Sequence, residues 1–390
     1  MQRIGIYGGT FNPPHIGHIG AAQTAMAELG LNKLVLMPAS QSPHKQEPDM
    51  AAHHRLQMLR IAAGPGMEVS DLEISRGGIS YTVQTLEQLH ERYPDAQLVL
   101  CMGSDMFLSL QKWKDPKRIL QLAEIAVFNR GDKGEQEKLG QQKKLLETEG
   151  VKVTFVKNPV ISISSSNLRR MLAFGCGETF LPEGVHAYIQ EHGLYNTRKN
   201  WKNLPMEHLE QVVISLLKPQ RVKHVLGCRN TSAELARIWG ADETDAARAG
   251  MLHDVTKALD GPLQLTLCKA YDIMLDEFST QNPKTLHALT GSLVAERIFG
   301  ENKAVVDAIC SHTTGKGNMN TLEKIIYVAE YMEPNRDFPG VEELRNLAYT
   351  NLDKALKLGL EMTLSVLKER GSDISPESLE ALQYLKSIGV

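Results

Sequence analysis

The sequence has no run of eighteen apolar residues and no basic-then-apolar leader, so neither a membrane span nor a secretory signal is expected. It also lacks an excess of charge. The 43 Lys and Arg against 46 Asp and Glu leave a net charge of −3, which argues against nucleic acid as a bulk partner. Cysteine is scarce: five residues, at 101, 176, 228, 268 and 310, odd in number and with no CxxC pair. That pattern excludes a disulfide framework and points to reduced thiols in a cytoplasmic protein. There is no long internal repeat and no low-complexity stretch. What is present is ordinary globular composition, 42% hydrophobic and 23% charged, in 390 residues. That length exceeds what one core supports, so two domains are expected. Self-association into a homo-oligomer is left open.

The densest chemistry lies near the start, in Gly8-Gly9-Thr10-Phe11-Asn12-Pro13-Pro14-His15-Ile16-Gly17-His18. An apolar run, Arg3 to Tyr7, reads as a buried strand before it, and Ile19 to Leu29 reads as a helix after it. Glycines allow close backbone approach to an anion, and a helix N-terminus offers free N–H groups. Two histidines three residues apart fall on one face and can reach the same phosphoryl group. The plainer alternative is a Gly- and Pro-rich turn carrying two surface histidines.

Strand and helix signals then alternate. Strands are expected at 34–38, 67–74, 97–102, 125–130 and 151–156, and helices at 52–63, 80–89, 108–113, 116–122 and 133–149, with Ser80 or Thr82 capping the third helix of the chain. Such alternation predicts an α/β, Rossmann-like domain with a parallel sheet covered on both faces. Ligands in these sheets sit beyond the carboxyl ends of the strands, where Gly8-Gly9, the loop through Lys45, Gly103 to Asp105, and Arg130 all fall. Ser164, Ser165 and Ser166 precede a helical pattern carrying Arg169 one turn in. They serve as N-cap material and, with Arg169, as a second anion site.

Gly8 to His18 together with Ser164 to Arg169 resembles the nucleotidylyltransferase superfamily, with its HxGH and distal serine-rich motifs. Residues 1 to about 195 are similar, more closely, to bacterial nicotinate-mononucleotide adenylyltransferases, on Gly8 to His15, Pro43-His44-Lys45, Ser80-Tyr81-Thr82, Met102 to Asp105 and Lys112-Trp113. Ser166 stands where that family usually has Thr, which keeps the hydroxyl. The resemblance implies transfer of AMP from ATP to nicotinate mononucleotide, giving deamido-NAD and pyrophosphate, with Mg²⁺ bridging phosphate oxygens. No side-chain nucleophile is needed, because the acceptor phosphate can attack directly. By that likeness His15, His18 and Arg169 serve the reaction. Gly8, Gly9, Thr10, Phe11, Gly103, Asp105, Ser164, Ser165 and Ser166 join them at ATP. Lys45, Tyr81, Thr82, Trp113 and Arg130 meet the acceptor. An acceptor such as phosphopantetheine is the alternative within the same fold.

A polar, basic stretch, 196–204, reads as a linker between a first domain, 1–195, and a second, 205–390. Beyond it every periodic segment is helical, from Met206 to Ile388, with no convincing strand, so an all-α bundle is expected. His224, the pair His253-Asp254, His287 and His312 lie beside apolar helices. Neutral imidazole with carboxylate is the ligand set for Fe, Mn or Zn. Taken singly, each histidine also fits a satisfied core position.

This half is similar to the HD-domain phosphohydrolases, and within them to the YqeK-type group that hydrolyses diadenosine tetraphosphate. The likeness rests on His224, Gly250 to Lys257, Lys284 to His287, His312 to Gly315 and Glu330 to Arg336. In that family the last ligand is Asp in a Val-Ala-Asp-Tyr context, whereas this chain has Val328-Ala329-Glu330-Tyr331. The resemblance implies two-ion hydrolysis of dinucleoside polyphosphates to two ADP, with Asp254 bridging. His224, His253, His287, His312 and Glu330 would complete the ligand shells, and Lys257 and Arg336 would meet polyphosphate oxygens. A different nucleotidase, or a non-catalytic module that binds nucleotides, is the alternative for this half.

Overall fold

The computed structural model describes residues 1–41, 50–129 and 134–390, and Lys45 and Arg130 therefore lie outside the described residues. The chain folds as two compact units, Met1–Arg198 and Lys199–Val390.

The first unit is built on six parallel strands: β1 (Gln2–Gly9), β2 (Lys33–Pro38), β3 (Met67–Val69), β4 (Ala96–Gly103), β5 (Ala123–Phe128) and β6 (Val153–Val156), in the order β3-β2-β1-β4-β5-β6. Their side chains alternate between two apolar layers. Leu34, Leu36, Val99 and Cys101 join Ile19, Met58, Leu59, Leu168 and Val185 on one face. Ile4, Ile6, Val35, Met37, Leu98 and Leu100 join Leu86, Phe107, Ile119 and Leu146 on the other. Helices therefore cover both sides, which is why these strands read as nearly continuous apolar runs. The chain order reverses between β1 and β4, which pair directly, so a crevice opens at their carboxyl ends.

Several elements differ from the sequence expectation. Alternation through Ile74 predicts a strand to that point, but β3 stops at Val69 and a helix, Leu72–Arg76, follows. There the Glu73 carboxylate is buried and accepts from Thr85 Oγ1 at 2.6 Å, a polar anchor that apolar periodicity does not register. The helix expected at 108–113 starts earlier, at Ser104, straight from β4, and tightens into a 3₁₀ turn at Leu110–Lys112. Neither Ser80 nor Thr82 caps the helix Thr82–Arg92. Its N-cap position is Tyr81, and the Ser80 hydroxyl accepts instead from the Ser40 amide at 2.9 Å.

The second unit is all-helical, with no strand among the described residues. Its caps are legible: Asp242, Asp260, Asp276, Asn302 and Asn320 each accept a backbone N–H at a helix start. Val341 to Arg370 is not one helix but two, Val341–Thr350 and Leu352–Glu369, because Asn351 leaves the helical conformation and caps the second through Lys354 N. Trp201, within the stretch read as polar linker, is buried and stacked on Phe299 with ring centroids 5.6 Å apart.

The helix Thr321–Met332 starts with a complete capping box. Asn320 Oδ1 accepts from Glu323 N at 3.0 Å, and Glu323 Oε2 accepts from Asn320 N at 2.8 Å. Asn320→Ala should lower the stability of the second unit by about 1 kcal/mol in chemical denaturation, while Asn320→Asp or Asn320→Ser should restore most of it.

Candidate functional site

In the first unit, the crevice at the β1–β4 switch holds a cavity of about 510 Å³. Gly8, Gly9, Thr10, Phe11, His18, Tyr81, Thr82, Gly103, Asp105, Trp113 and Ser165 all line it, so both sequence motifs and the Tyr81 and Trp113 segments meet in one space. The backbone amide of His15 donates to His18 Nδ1 at 3.2 Å. A ring whose Nδ1 accepts must carry its proton on Nε2, so neutral His18 is a donor suited to an anion. The ring is fixed between His15, stacked at 3.6 Å, and Phe11, edge-on at 5.1 Å.

The loop before His15 is held from behind. Arg169 Nη1 donates to Asn12 O at 2.6 Å and its Nη2 to Ser166 Oγ at 3.2 Å, while Ser165 Oγ donates to Pro13 O at 3.0 Å. Ser164 caps the helix Ser165–Ala173 through Asn167 N. The three serines and Arg169 thus have a structural task, fastening the distal motif to the first one. Tyr195 OH adds a bond to Asn12 Oδ1 at 2.7 Å. Arg55 was not foreseen from sequence. It is buried within an amphipathic helix and donates to Thr10 O at 2.9 Å and Ser40 O at 3.2 Å, tying the glycine loop to the end of β2. Only a buried arginine's need for acceptors could have pointed to it.

In the second unit His224, His253, Asp254, His287, His312 and Glu330 converge, although 106 residues separate the first from the last. Close helix packing makes this possible. A Cβ at Gly250 would come within 2.9 Å of the Cys228 carbonyl and the Arg229 Cα, so glycine lets the helices Val222–Trp239 and Glu243–Leu252 touch and brings His224 to His253. Gly227 likewise leaves room for the Glu333 carboxylate, whose Oε2 would lie 2.2 Å from a Cβ there.

Each ring is oriented through Nδ1. The partners are Glu333 Oε1 at 3.1 Å for His224, Gly250 O at 2.7 Å for His253, Lys284 O at 3.0 Å for His287 and Ile309 O at 2.6 Å for His312. All four acceptors are oxygens, so each ring donates from Nδ1, and with the proton there Nε2 would be the nitrogen that supplies a lone pair to an ion. These Nε2 atoms crowd together with the carboxylates. His224 Nε2 lies 3.2 Å from His253 Nε2 and 2.8 Å from Glu330 Oε2, and His287 Nε2 lies 3.6 Å from Asp254 Oδ1. Asp254 Oδ1 is buried with no hydrogen-bond partner. Imidazole nitrogens and carboxylates crowded around an orphaned carboxylate oxygen fit a divalent cation, and two overlapping sets of donors, His224–Cys228–His253–Glu330 and His253–Asp254–His312, are close enough to be candidates for one ion each.

Electrostatics divide the centre: burial would lower His253, but Asp254 and Glu330 outweigh it and raise that ring. Burial would raise the Asp254 carboxyl, but His253, His287 and Lys257 outweigh it and hold it well below the carboxylate range. Burial opposes ionised Glu330 too, yet hydrogen bonds from His224 and His253 hold it well down. Burial and the neighbouring His253 push His312 down to about 4, and burial with Lys257 pushes His287 far down, keeping both rings neutral. Lys257 Nζ sits 2.8 Å from His287 Nε2, and Arg336 Nη2 sits 2.5 Å from Glu330 Oε1, so both cations expected at polyphosphate oxygens border the centre. Arg221, Cys228 and Glu333 were missed from sequence. Arg221 pairs with Asp254 and Glu333 orients His224. Their one signal was spacing: three residues before His224, four after it, and three after Glu330.

Comparison with known proteins adds the following. Residues 6–171 match the cytidylyltransferase-like family and residues 221–335 match the HD domain. The chain is 36% identical over 200 residues to a probable nicotinate-nucleotide adenylyltransferase of Gemmatimonas aurantiaca, covering 50% of this chain and 92% of that protein. It is 38% identical over 201 residues to the one of Thermomicrobium roseum, covering 50% and 93%. Among solved structures, a predicted HD superfamily hydrolase involved in NAD metabolism from Clostridium acetobutylicum shares 35% identity, with a TM-score of 0.46, over 47% of this chain and 98% of that one. No helix among the described residues is long and apolar enough to cross a membrane.

The depressed His312 gives a signed pH dependence. Its ordinary value is about 6.5, so the unfolded chain takes up this proton before the folded one and stability falls as pH drops from about 6.5 to 4. Over that window the metal-free chain should lose up to about 3 kcal/mol more than the metal-free His312→Gln variant, read by denaturant unfolding at each pH.

Proposed function

The first half of this chain belongs to the nicotinate-nucleotide adenylyltransferase family and the second half carries an HD domain, and from that premise we propose a bifunctional enzyme of nucleotide metabolism. In this reading the first unit transfers AMP from ATP to nicotinate mononucleotide. The observation that carries it is His18, locked as an Nε2–H donor in a cavity also lined by Gly8, Gly9, Ser165, Tyr81 and Trp113. The acceptor phosphate attacks the α-phosphorus, pyrophosphate leaves, and His18 donates to the oxygen on which charge grows. His15 stacks on His18 and keeps its angle. Asp105, in the first turn of the helix that follows β4, lines the cavity and would meet the adenosine, and Trp113 would offer a flat surface to the pyridine ring. Arg169 acts largely by holding the loop that presents the phosphate-binding amides. Mg²⁺ would accompany the ATP phosphates.

The second unit reads as a metal-dependent phosphohydrolase acting on dinucleoside polyphosphates, with symmetric cleavage of diadenosine tetraphosphate to two ADP. Two divalent ions, when bound, would supply an activated water and neutralise phosphate charge. His224, His253, Asp254, His287, His312 and Glu330 would hold them, and Arg221, Lys257 and Arg336 border the centre as the cations that oxygens of an incoming polyphosphate would meet. Glu330 replaces the expected aspartate, and its longer side chain is itself gripped through Oε1 by Arg336.

Two experiments test these readings. His18→Ala should cut kcat/KM for nicotinate mononucleotide by about 10²–10³ with KM for ATP changed far less, and phosphopantetheine should not be a substrate. Turnover of phosphopantetheine in place of nicotinate mononucleotide would move the reading to the alternative acceptor. His253→Ala should lose bound metal and diadenosine tetraphosphate turnover together, whereas Glu330→Asp should retain both. A wild type that binds no metal and leaves the dinucleotide intact would make this half a non-catalytic binding module.

A further inference from the structure

Four carboxylate or ammonium side chains line the cavity of the first unit: Glu73, Asp105, Lys112 and Lys114. Glu73 is buried and committed to Thr85 Oγ1, from which it accepts at 2.6 Å. Asp105 belongs to the helix Ser104–Ser109, straight after β4. The two lysines flank Trp113, whose indole is fixed because Nε1 donates to Ser109 Oγ at 3.2 Å. On the other side of Lys114 stands Asp115, at a φ of 47°, which caps the helix Pro116–Leu122 by accepting from Arg118 N at 3.3 Å. The backbone of Lys114 is thus pinned by its neighbours on both sides. Its side chain turns to the acceptor wall, where Nζ lies over the Tyr81 ring, 4.2 Å from the centroid. Among the described residues no carboxylate forms an ion pair with this ammonium.

We propose that Lys114 is a specificity residue of the acceptor pocket, its ammonium meeting the carboxylate of a pyridine carboxylate nucleotide and favouring that acid over its carboxamide. The inference rests on the reading of the first unit as an adenylyltransferase for nicotinate mononucleotide, and deepens it by naming the charge that selects the acceptor. An ammonium seated on a ring face turns one side to the ring and keeps its other N–H groups for a ligand. Trp113 is the adjoining residue, so a pyridine ring laid on its indole brings a ring substituent within reach of the lysine side chain. A carboxylate there accepts a charge-assisted hydrogen bond, whereas a carboxamide offers one neutral oxygen and an NH₂ group that the ammonium repels. The hydroxyls of Tyr81 and Thr82 on the same wall both donate and accept, so they suit acid and amide alike. Discrimination therefore falls to a charge, and Lys114 carries the one seated on that wall.

The test compares kcat/KM of the full chain for nicotinate mononucleotide and for nicotinamide mononucleotide, with ATP saturating. Where amide turnover is too slow to follow, its inhibition constant against the acid replaces it. Lys114→Met keeps the length of the side chain and removes the charge. It should narrow the acid-to-amide ratio about tenfold, through KM for the acid rather than kcat. Lys114→Arg should retain most of the preference, and Lys112→Met should leave the ratio as it is in the wild type. An unchanged ratio in Lys114→Met, or acid and amide falling together, would overturn the assignment and leave the adenylyltransferase reading standing. So would an equal narrowing in Lys112→Met, which would mark a general effect of charge. A wild type that adenylylates neither nucleotide would overturn both.

Discussion

A histidine ring is committed to one chemistry by whatever occupies its Nδ1, and both halves of this chain depend on that hydrogen bond. In the first unit a backbone N–H donates to His18 Nδ1, so the far nitrogen keeps a proton and faces the cavity as a donor for anions. In the second, oxygens accept from Nδ1 of His224, His253, His287 and His312, so the far nitrogens converge and are the ones that would supply lone pairs to a cation. On the proposed function, the same side chain serves a phosphate site in one unit and a metal site in the other. The difference lies in the backbone and carboxylate groups behind it.

The fold supplies those groups at element ends. His15 is the N-cap of the helix Ile16–Leu29, and its amide, at a helix start where N–H groups lack intrahelical acceptors, donates to the His18 ring. His253 and His312 are C-cap residues, and each turns Nδ1 onto a carbonyl three residues earlier, an acceptor that a helix end leaves exposed. Helix termini thus serve as the rigid mounts for both centres. The sheet places the first centre at the β1–β4 switch, and the glycines at 227 and 250 let the helices approach closely enough to close the second.

Much of this was legible in the sequence because it is local. The strand preceding Gly8-Gly9, the serine cap before Arg169 and the all-helical second half follow from periodicity and capping, which act over a few residues. The candidate ligand histidines stood out because imidazoles beside apolar helices are unusual. What stayed hidden is long-range or polar and buried. Glu73 ends an apparent strand through a bond to Thr85, twelve residues on. Arg55 reaches back to Thr10, and Glu333 meets His224 across 109 residues. Asn351 divides a long periodic stretch through a backbone angle that the apolar pattern on either side does not record.

The central claim is that the two centres use opposite tautomers of histidine, and nitrogen resonance reads that directly. In zinc-loaded full-length protein with ¹⁵N-labelled histidine at neutral pH, the one-bond and two-bond ring couplings identify which nitrogen carries the proton. The account predicts an Nε2–H ring for His18 and Nδ1–H rings for His224, His253, His287 and His312. An Nδ1–H ring at His18, or an Nε2–H ring at any of the other four, would contradict it.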